Sequence, residues 1–498
     1  MQKNKDEFIE SSSVNSSFDS INRQIPLALT FDDVLIVPNH SSISSRKNCN
    51  TSTYVSKNIA TAIPIISSNM DTVTEKQMAI TMAREGGLGI IHRFMSVSEQ
   101  VRQVNSVKRS ESILIENPYT LTFSSRLKDA WDLFREKSVS GILITKENHE
   151  LVGILTQRDI LFEENPDTPV KDLMTTDLIT APLNIDLKDA KEILKSNRIE
   201  KLPLITKDGK LAGLITTKDL TKSKMWPNAT KDNKGRLRVG AAIGVKGDYL
   251  ERTKALFEAE CDVIVVDVAH GHSDLVIDTI NTIKHEYGDD IELIAGNVAT
   301  AKGTEELISR GVDGVKVGVG PGSICITRIV AGAGVPQLSA IMDSASIARD
   351  EGIPIIADGG IKTSGDIAKA IGAGASTVML GNLLAGTTES PGVPVLRNGR
   401  RVKVIRGMAS LGASLGRDER THGSFDDDFS EIIPEGVEAI VPFRGATKEI
   451  LQQLIGGLRS GMSYVGATSI PSMWELTRFT RITPAGRQES TSHDVETI

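Results

Sequence analysis

The chain has 498 residues, 39% of them apolar and 24% charged, with a formal net charge of −7. That length exceeds one ordinary core, and the composition excludes a disordered or fibrous chain. The acidity excludes an electrostatic nucleic-acid binder, while a local basic pocket for one phosphate stays compatible with it.

Cys49, Cys261 and Cys325 form no CxxC and no Cys/His spacing suited to zinc. This speaks for a reducing cytoplasm and against a disulfide framework or a structural metal. No run approaches the roughly 20 apolar residues of a membrane span. Residues 1–25, rich in Ser, Asn and charge and without an apolar h-region, read as a mobile tail and not as a signal peptide. The terminal VETI matches no common retention or peroxisomal signal.

Residues 26–110 open the main domain. IPIISSNMD (63–71) reads as a buried strand and TEKQMAITMAREGG (74–87) as the amphipathic helix after it. An internal repeat follows. LKDAWDLF…ELVGILTQRDI (127–160) matches LKDAKEIL…KLAGLITTKDL (187–220), with Leu127/Leu187, Ala130/Ala190, Gly153/Gly213 and Asp159/Asp219 in register. Two copies predict a paired module, placed at 111–171 and 172–230.

From 231 to 498 the first grammar resumes. DVIVVDV (262–268), IELIAGNV (291–298), GVKVGV (314–319), PIIADGG (354–360) and STVMLGN (376–382) alternate with capped helical segments such as GTEELISRG. So many βα units predict an α/β (β/α)8 TIM barrel carrying an inserted pair. A doubly wound open sheet is the alternative, but no GxGxxG opens a helix, since GVGPGS lacks the third glycine. The clusters SSNMD, DVAHGHS, AGNVAT, GVGPGSICITR, ADGGI and GNLLAG all fall at strand C-termini, which in a barrel make the one face where active sites sit.

In that face Cys325 stands out. A cysteine in the glycine-rich loop KVGVGPGSICITR is presented instead of packed, as a nucleophile must be. A small buried hydrophobe is the plainer reading for a lone cysteine and suits Cys261, at the start of a strand run.

The motifs LTFDDVLIVP (29–38), SSNMDTVTE (67–75), RLRVGAAIGV (236–245), VDVAHGHS (266–273), AGNVAT (295–300), KVGVGPGSICITRIVAGAGVPQLSAI (316–341), IADGGI (356–361), GGLRSGM (456–462) and QESTSHDV (488–495) together resemble the inosine-5′-monophosphate dehydrogenase family, whose near relative is GMP reductase. The repeat resembles a pair of cystathionine-β-synthase (CBS) domains inserted in the barrel. The resemblance implies that Cys325 attacks C2 of IMP, that hydride passes to NAD, and that water releases XMP, with Thr327 orienting the water. It implies a potassium site on the carbonyls of Gly320, Gly322 and Cys325, completed by Glu489, Ser490 and Thr491 of a neighbouring subunit in a homotetramer, extendable to an octamer. Asp358 would meet the substrate ribose, Ser323, Gly360 and Gly381 its 5′-phosphate, with Asn382 in the phosphate turn, and Glu435 the purine N1 edge; Gly359, Gly407 and Met408 would belong to the same substrate-binding set. Asp267 would meet the nicotinamide ribose of NAD, with Gly318, Val319 and Gly320 along its path. Asp159 and Asp219 are the corresponding candidates for ATP or GTP in the pair, although an Asp there also caps a helix.

The chain departs from the family pattern in four places. Asn382 and Thr491 stand where Ser and His are usual, and the run Ile405-Arg406-Gly407-Met408-Ala409 replaces Tyr-Arg-Gly-Met-Gly, losing a phosphate-reaching hydroxyl. In the expected flap, about 409–440, the usual water-activating Arg-Tyr pair falls on Thr421-His422, with Arg420 one residue earlier. His422 can serve as a base near neutral pH; alternatively GRDERTHGSFDDDFS is a solvated acidic loop. Failure of hydrolysis would point to GMP reductase, which works with NADPH; a nucleotide-sensing paralogue with little turnover is a further alternative, against which the intact Cys325-x-Thr327 speaks. The segments QESTSHDV, PEGVEAIVPFRG and WPNATKD resemble the dehydrogenase more closely.

Overall fold

A computed structural model describes residues 25–111, 114–115, 118–137, 139–217, 225–410 and 434–491. Thr421, His422 and Asp219 lie outside the described residues. Eight parallel strands close into a barrel: β1 (Ile65–Ser67), β2 (Leu88–Ile91), β3 (Gly240–Ile243), β4 (Val263–Asp267), β5 (Leu293–Val298), β6 (Gly314–Val317), β7 (Ile355–Asp358) and β8 (Thr377–Leu380). β8 pairs with β1, which closes the ring.

Parity along the strands decides what faces inward. Ile66, Leu88, Ile90, Ala242, Val263, Val265, Ile294, Ile356 and Met379 share one buried cluster inside the barrel, together with Val55 and Ile59 from the hairpin Thr53–Ser56/Ile59–Thr61. Their neighbours Ile264, Val266, Leu293, Ala295, Val315, Val317 and Ala357 face the surrounding helices. Burial on both faces explains the unbroken apolar runs, and each fully buried Val or Ile contributes roughly 1.5–3 kcal/mol. Continuing the inward parity toward the strand ends brings Asp267, Gly296, Lys316 and Asp358 to the top of the interior.

Between β2 and β3 the chain builds two further sheets. Thr120–Thr122, Gly141–Thr145 and Leu151–Thr156 form one; Leu114–Ile115, Ala181–Pro182, Lys201–Ile205 and Leu211–Thr216 form the other. Helices begin at Leu127 and Leu187, and strands at Gly141 and Lys201 and at Leu151 and Leu211, the same offset as the sequence repeat. No helix among the described residues is long and apolar enough to cross a membrane.

The predicted barrel strands are real but shorter. The polar ends of ADGG and GVGPGS leave the sheet as loops, because successive positive-φ glycines at Gly318, Gly320, Gly359 and Gly360 cannot continue a ladder. A three-stranded sheet of Val395–Arg397, Arg400–Arg406 and Glu438–Pro442 was not legible in the sequence, and it brackets the expected flap.

Candidate active site

The cysteine loop leaves β6 at Gly318 and turns tightly, with Cys325 N donating to Gly322 O at 3.2 Å. From outside, the Arg328 guanidinium donates to Val335 O at 2.5 Å and packs into the space that Gly320 and Gly334 leave open. The segment before Glu438–Pro442 then clamps the loop as an antiparallel bridge between Cys325 and Gly436: Ile326 N donates to Glu435 O at 2.8 Å and Val437 N to Ile324 O at 3.0 Å. This clamp brings Glu435 to the cysteine. Thr327 Oγ1 donates to Glu435 Oε2 at 2.7 Å and lies 3.2 Å from Cys325 Sγ. A hydroxyl has one proton, and here Glu435 takes it, so the thiol donates to Thr327. The result is a continuous proton path from sulfur to carboxylate.

Beside this loop runs a cleft of about 130 Å³. Ser323, Asp358, Gly359, Gly360, Gly381 and Asn382 line it, at the ends of β6, β7 and β8. Gly381 and Asn382 sit at the start of the short helix Asn382–Ala385, and an anion there meets free amides. Ser68 and Met70, from the SSNMD loop, and apolar Ile405 also line it.

Below the cleft a charge cluster closes the barrel top. The Lys316 ammonium, with its side chain 2% exposed, lies 2.6 Å from Asp267 Oδ1 and 2.6 Å from Asp358 Oδ2. Asn69 Nδ2 donates to Asp267 Oδ2 at 2.8 Å, and Asn297 Nδ2 to Asp358 Oδ2 at 3.0 Å and Gly318 O at 2.7 Å. Burial opposes the charge on Lys316, but the two carboxylates outweigh it and hold the ammonium well above the ordinary lysine range. Burial likewise opposes ionisation of Asp267, yet Lys316, Asn69 and Arg93 hold that carboxyl below its ordinary value.

A cysteine on a clamped loop, a Thr–Glu proton path and a carboxylate-lined cleft at one end of a barrel define the family to compare. The family described as IMP dehydrogenase / GMP reductase domain matches residues 28–493. The chain belongs to the IMP dehydrogenase / GMP reductase family. It is 54% identical over 469 residues to an inosine-5′-monophosphate dehydrogenase of Nitrosopumilus maritimus, covering 94% of this chain and 98% of that one. It is also 48% identical over 484 residues to a GMP reductase of Leishmania donovani, at 95% and 98% coverage. A GMP reductase variant from Trypanosoma brucei, solved with guanosine 5′-monophosphate, superimposes with a TM-score of 0.90 at 46% identity, covering 96% of this chain and all of that one.

The other residues expected from the IMP dehydrogenase / GMP reductase resemblance distribute as follows. Gly407 is packed against Gly436 and Ile324, its N–H donated to Val437 O at 3.0 Å, and Met408 begins the turn after it. Val319 and Gly320 lie half-buried beside Gly318. Glu489 ends the helix Pro484–Glu489, and Ser490 and Thr491 follow; Arg487 ties that helix to Asp32 at 2.8 Å, and among the described residues neither Glu489 nor Ser490 bonds to the cysteine loop. Asp159 accepts from the N–H and the hydroxyl of Thr156, both at 2.7 Å, within the turn that follows the strand Leu151–Thr156. Lys316, Asn69, Asn297 and Arg328 were missed. The available signals were a lysine inside an otherwise apolar strand and an asparagine at each of two strand ends.

Proposed function

We propose that the chain oxidises IMP to XMP with NAD, through a covalent bond to Cys325. The reading is carried by the Cys325–Thr327–Glu435 path at the rim of a cleft that holds Asp358, and is supported by 54% identity to a dehydrogenase over nearly the whole chain. The thiol loses its proton through Thr327 to Glu435, and the thiolate adds to C2 of the purine. Asp358 Oδ1, which has no donor among the described residues, accepts from the ribose hydroxyls. Bound NAD supplies the acceptor for the C2 hydride, and Asp267 with Gly318, Val319 and Gly320 would hold it. Glu435 passes the thiol's proton on to solvent before hydrolysis; Thr327 then orients a water on the thioimidate carbon, Glu435 takes that water's proton, and the C–S bond breaks to release XMP and the thiolate, to which Glu435 returns the proton through Thr327.

A potassium ion suits the cysteine turn, whose Gly320, Gly322 and Cys325 carbonyls are hard oxygen donors from one short loop. One chain leaves that set incomplete, and Glu489, Ser490 and Thr491 of a second copy would complete it, which makes the working unit a homotetramer. Residues 111–171 and 172–230 would serve as a CBS pair for adenine or guanine nucleotides through Asp159 and Asp219.

A second reading, GMP reductase with NADPH, is favoured by the 48% identity to the Leishmania donovani enzyme and by the absent Arg-Tyr pair. There the same Thr327–Glu435 path would deliver a proton to departing ammonia. Chromatography of products separates the two: IMP with NAD yields XMP under the first reading, and GMP with NADPH yields IMP under the second.

A further inference from the structure

The charge cluster beneath the cleft carries more than burial requires. Asp267 ends β4 and Asp358 ends β7, and Lys316 on β6 reaches both. β5 lies between Lys316 and Asp267, with Gly296 level with each: Asp267 pairs with Gly296 and Gly296 with Lys316. Any side chain at that inward position would obstruct the lysine. A Cβ on Gly296 would stand 2.7 Å from Lys316 Cβ and 2.4 Å from its carbonyl oxygen. The strand is therefore bare where the lysine crosses it. The two carboxylates stay 17% and 21% exposed, Asp358 in the lining of the cleft, while the ammonium is 2% exposed.

We propose that Lys316 is a positioning residue which, by gripping Asp267 and Asp358 at once, fixes the distance between the cofactor ribose and the substrate ribose. The proposal rests on the reading above, in which those two carboxylates receive the two riboses. Neither ribose contact involves Lys316 itself. One ammonium shared by two carboxylates has no slack, so their separation is set by two short charge-assisted bonds and not by loop conformation. Asn69 and Asn297 fix the remaining orientation of each carboxylate. A lysine that merely neutralised one buried acid would need one partner and no gap in β5.

The test is equilibrium binding to the full-length protein, by calorimetry, of nucleotide (IMP, GMP) and dinucleotide (NAD, NADPH) separately, in wild type, Lys316→Met and, as a reference, Asp358→Asn. Lys316→Met is expected to weaken the preferred nucleotide and the preferred dinucleotide together, each by about tenfold or more. Asp358→Asn weakens the nucleotide predominantly. The rate of Cys325 alkylation by iodoacetamide stays unchanged in Lys316→Met. If that variant does not fold, Lys316→Gln, which keeps a donor without charge, is expected to show the same paired loss. Loss of one ligand's affinity alone, or of neither, overturns the proposal while leaving the function standing. Failure of wild type to bind any of the four ligands overturns both.

Discussion

Thr327 Oγ1 joins Cys325 Sγ, at 3.2 Å, to Glu435 Oε2, at 2.7 Å, although Glu435 lies 108 residues further along the chain. If this path carries protons, Glu435→Gln and Thr327→Ala each lower kcat by about 10²–10⁴-fold. The double variant is then no worse than the slower single, because one path is broken only once. Steady-state kinetics on the three variants checks this, and multiplicative losses would separate the two residues.

The three cysteines should differ sharply toward alkylation. Burial, reinforced by Asp262, pushes the Cys261 thiol up to about 12, its sulfur turned to Val239 O and Val263 O, and burial raises Cys49 as well. Thiolates, not thiols, are alkylated. Iodoacetamide at mild alkaline pH is expected to label Cys325 alone, with protection by nucleotide; peptide mass spectrometry reads the site directly.

Gly318→Ala is expected to be disabling. Gly318 has φ of +149°, and a Cβ there would stand 2.1 Å from the Asp358 carbonyl oxygen, which cannot yield without moving β7. The nucleotide KM rises by roughly 100-fold or the protein fails to accumulate, and KM beside a thermal melt distinguishes the two.

The Asp267–Lys316 pair gives a signed pH dependence. A carboxyl depressed on folding contributes stability that is complete above its unfolded value near about 4 and is lost as pH falls through its folded value. A lysine raised on folding contributes stability that is complete below its unfolded value near about 10.4 and is lost as pH rises through its folded value. Asp267→Asn therefore destabilises the protein by about 1–3 kcal/mol at neutral pH, and the gap to wild type narrows as the pH is lowered through the acid range. Urea unfolding across pH checks it; a gap independent of pH would detach the effect from ionisation.

The sequence showed the barrel because buried parallel strands are written as apolar runs such as VIVVD, and showed the active face because their ends are polar. Cys325 stood out for the same local reason, whereas Asp358 was singled out only through the family resemblance. The clamp was not. That Gly436 bridges Cys325, and so delivers Glu435 to Thr327, depends on a pairing across more than a hundred residues that no periodicity records. Lys316 was hidden differently: within GVKVGV it reads as an interruption, and its meaning appears only when barrel closure sets it between Asp267 and Asp358. Strand lengths were overread because glycines after β6 and β7 continue the composition of the strand while ending its backbone geometry.

The most direct test of the account is a rapid quench of the protein mixed with IMP, NAD and potassium, with NADH read at 340 nm and the Cys325 peptide read by mass spectrometry. Covalent catalysis predicts a purine nucleotide adduct on Cys325, formed in step with the first equivalent of NADH and absent from Cys325→Ala. NADH without an adduct, or reaction only with GMP and NADPH, would contradict the account.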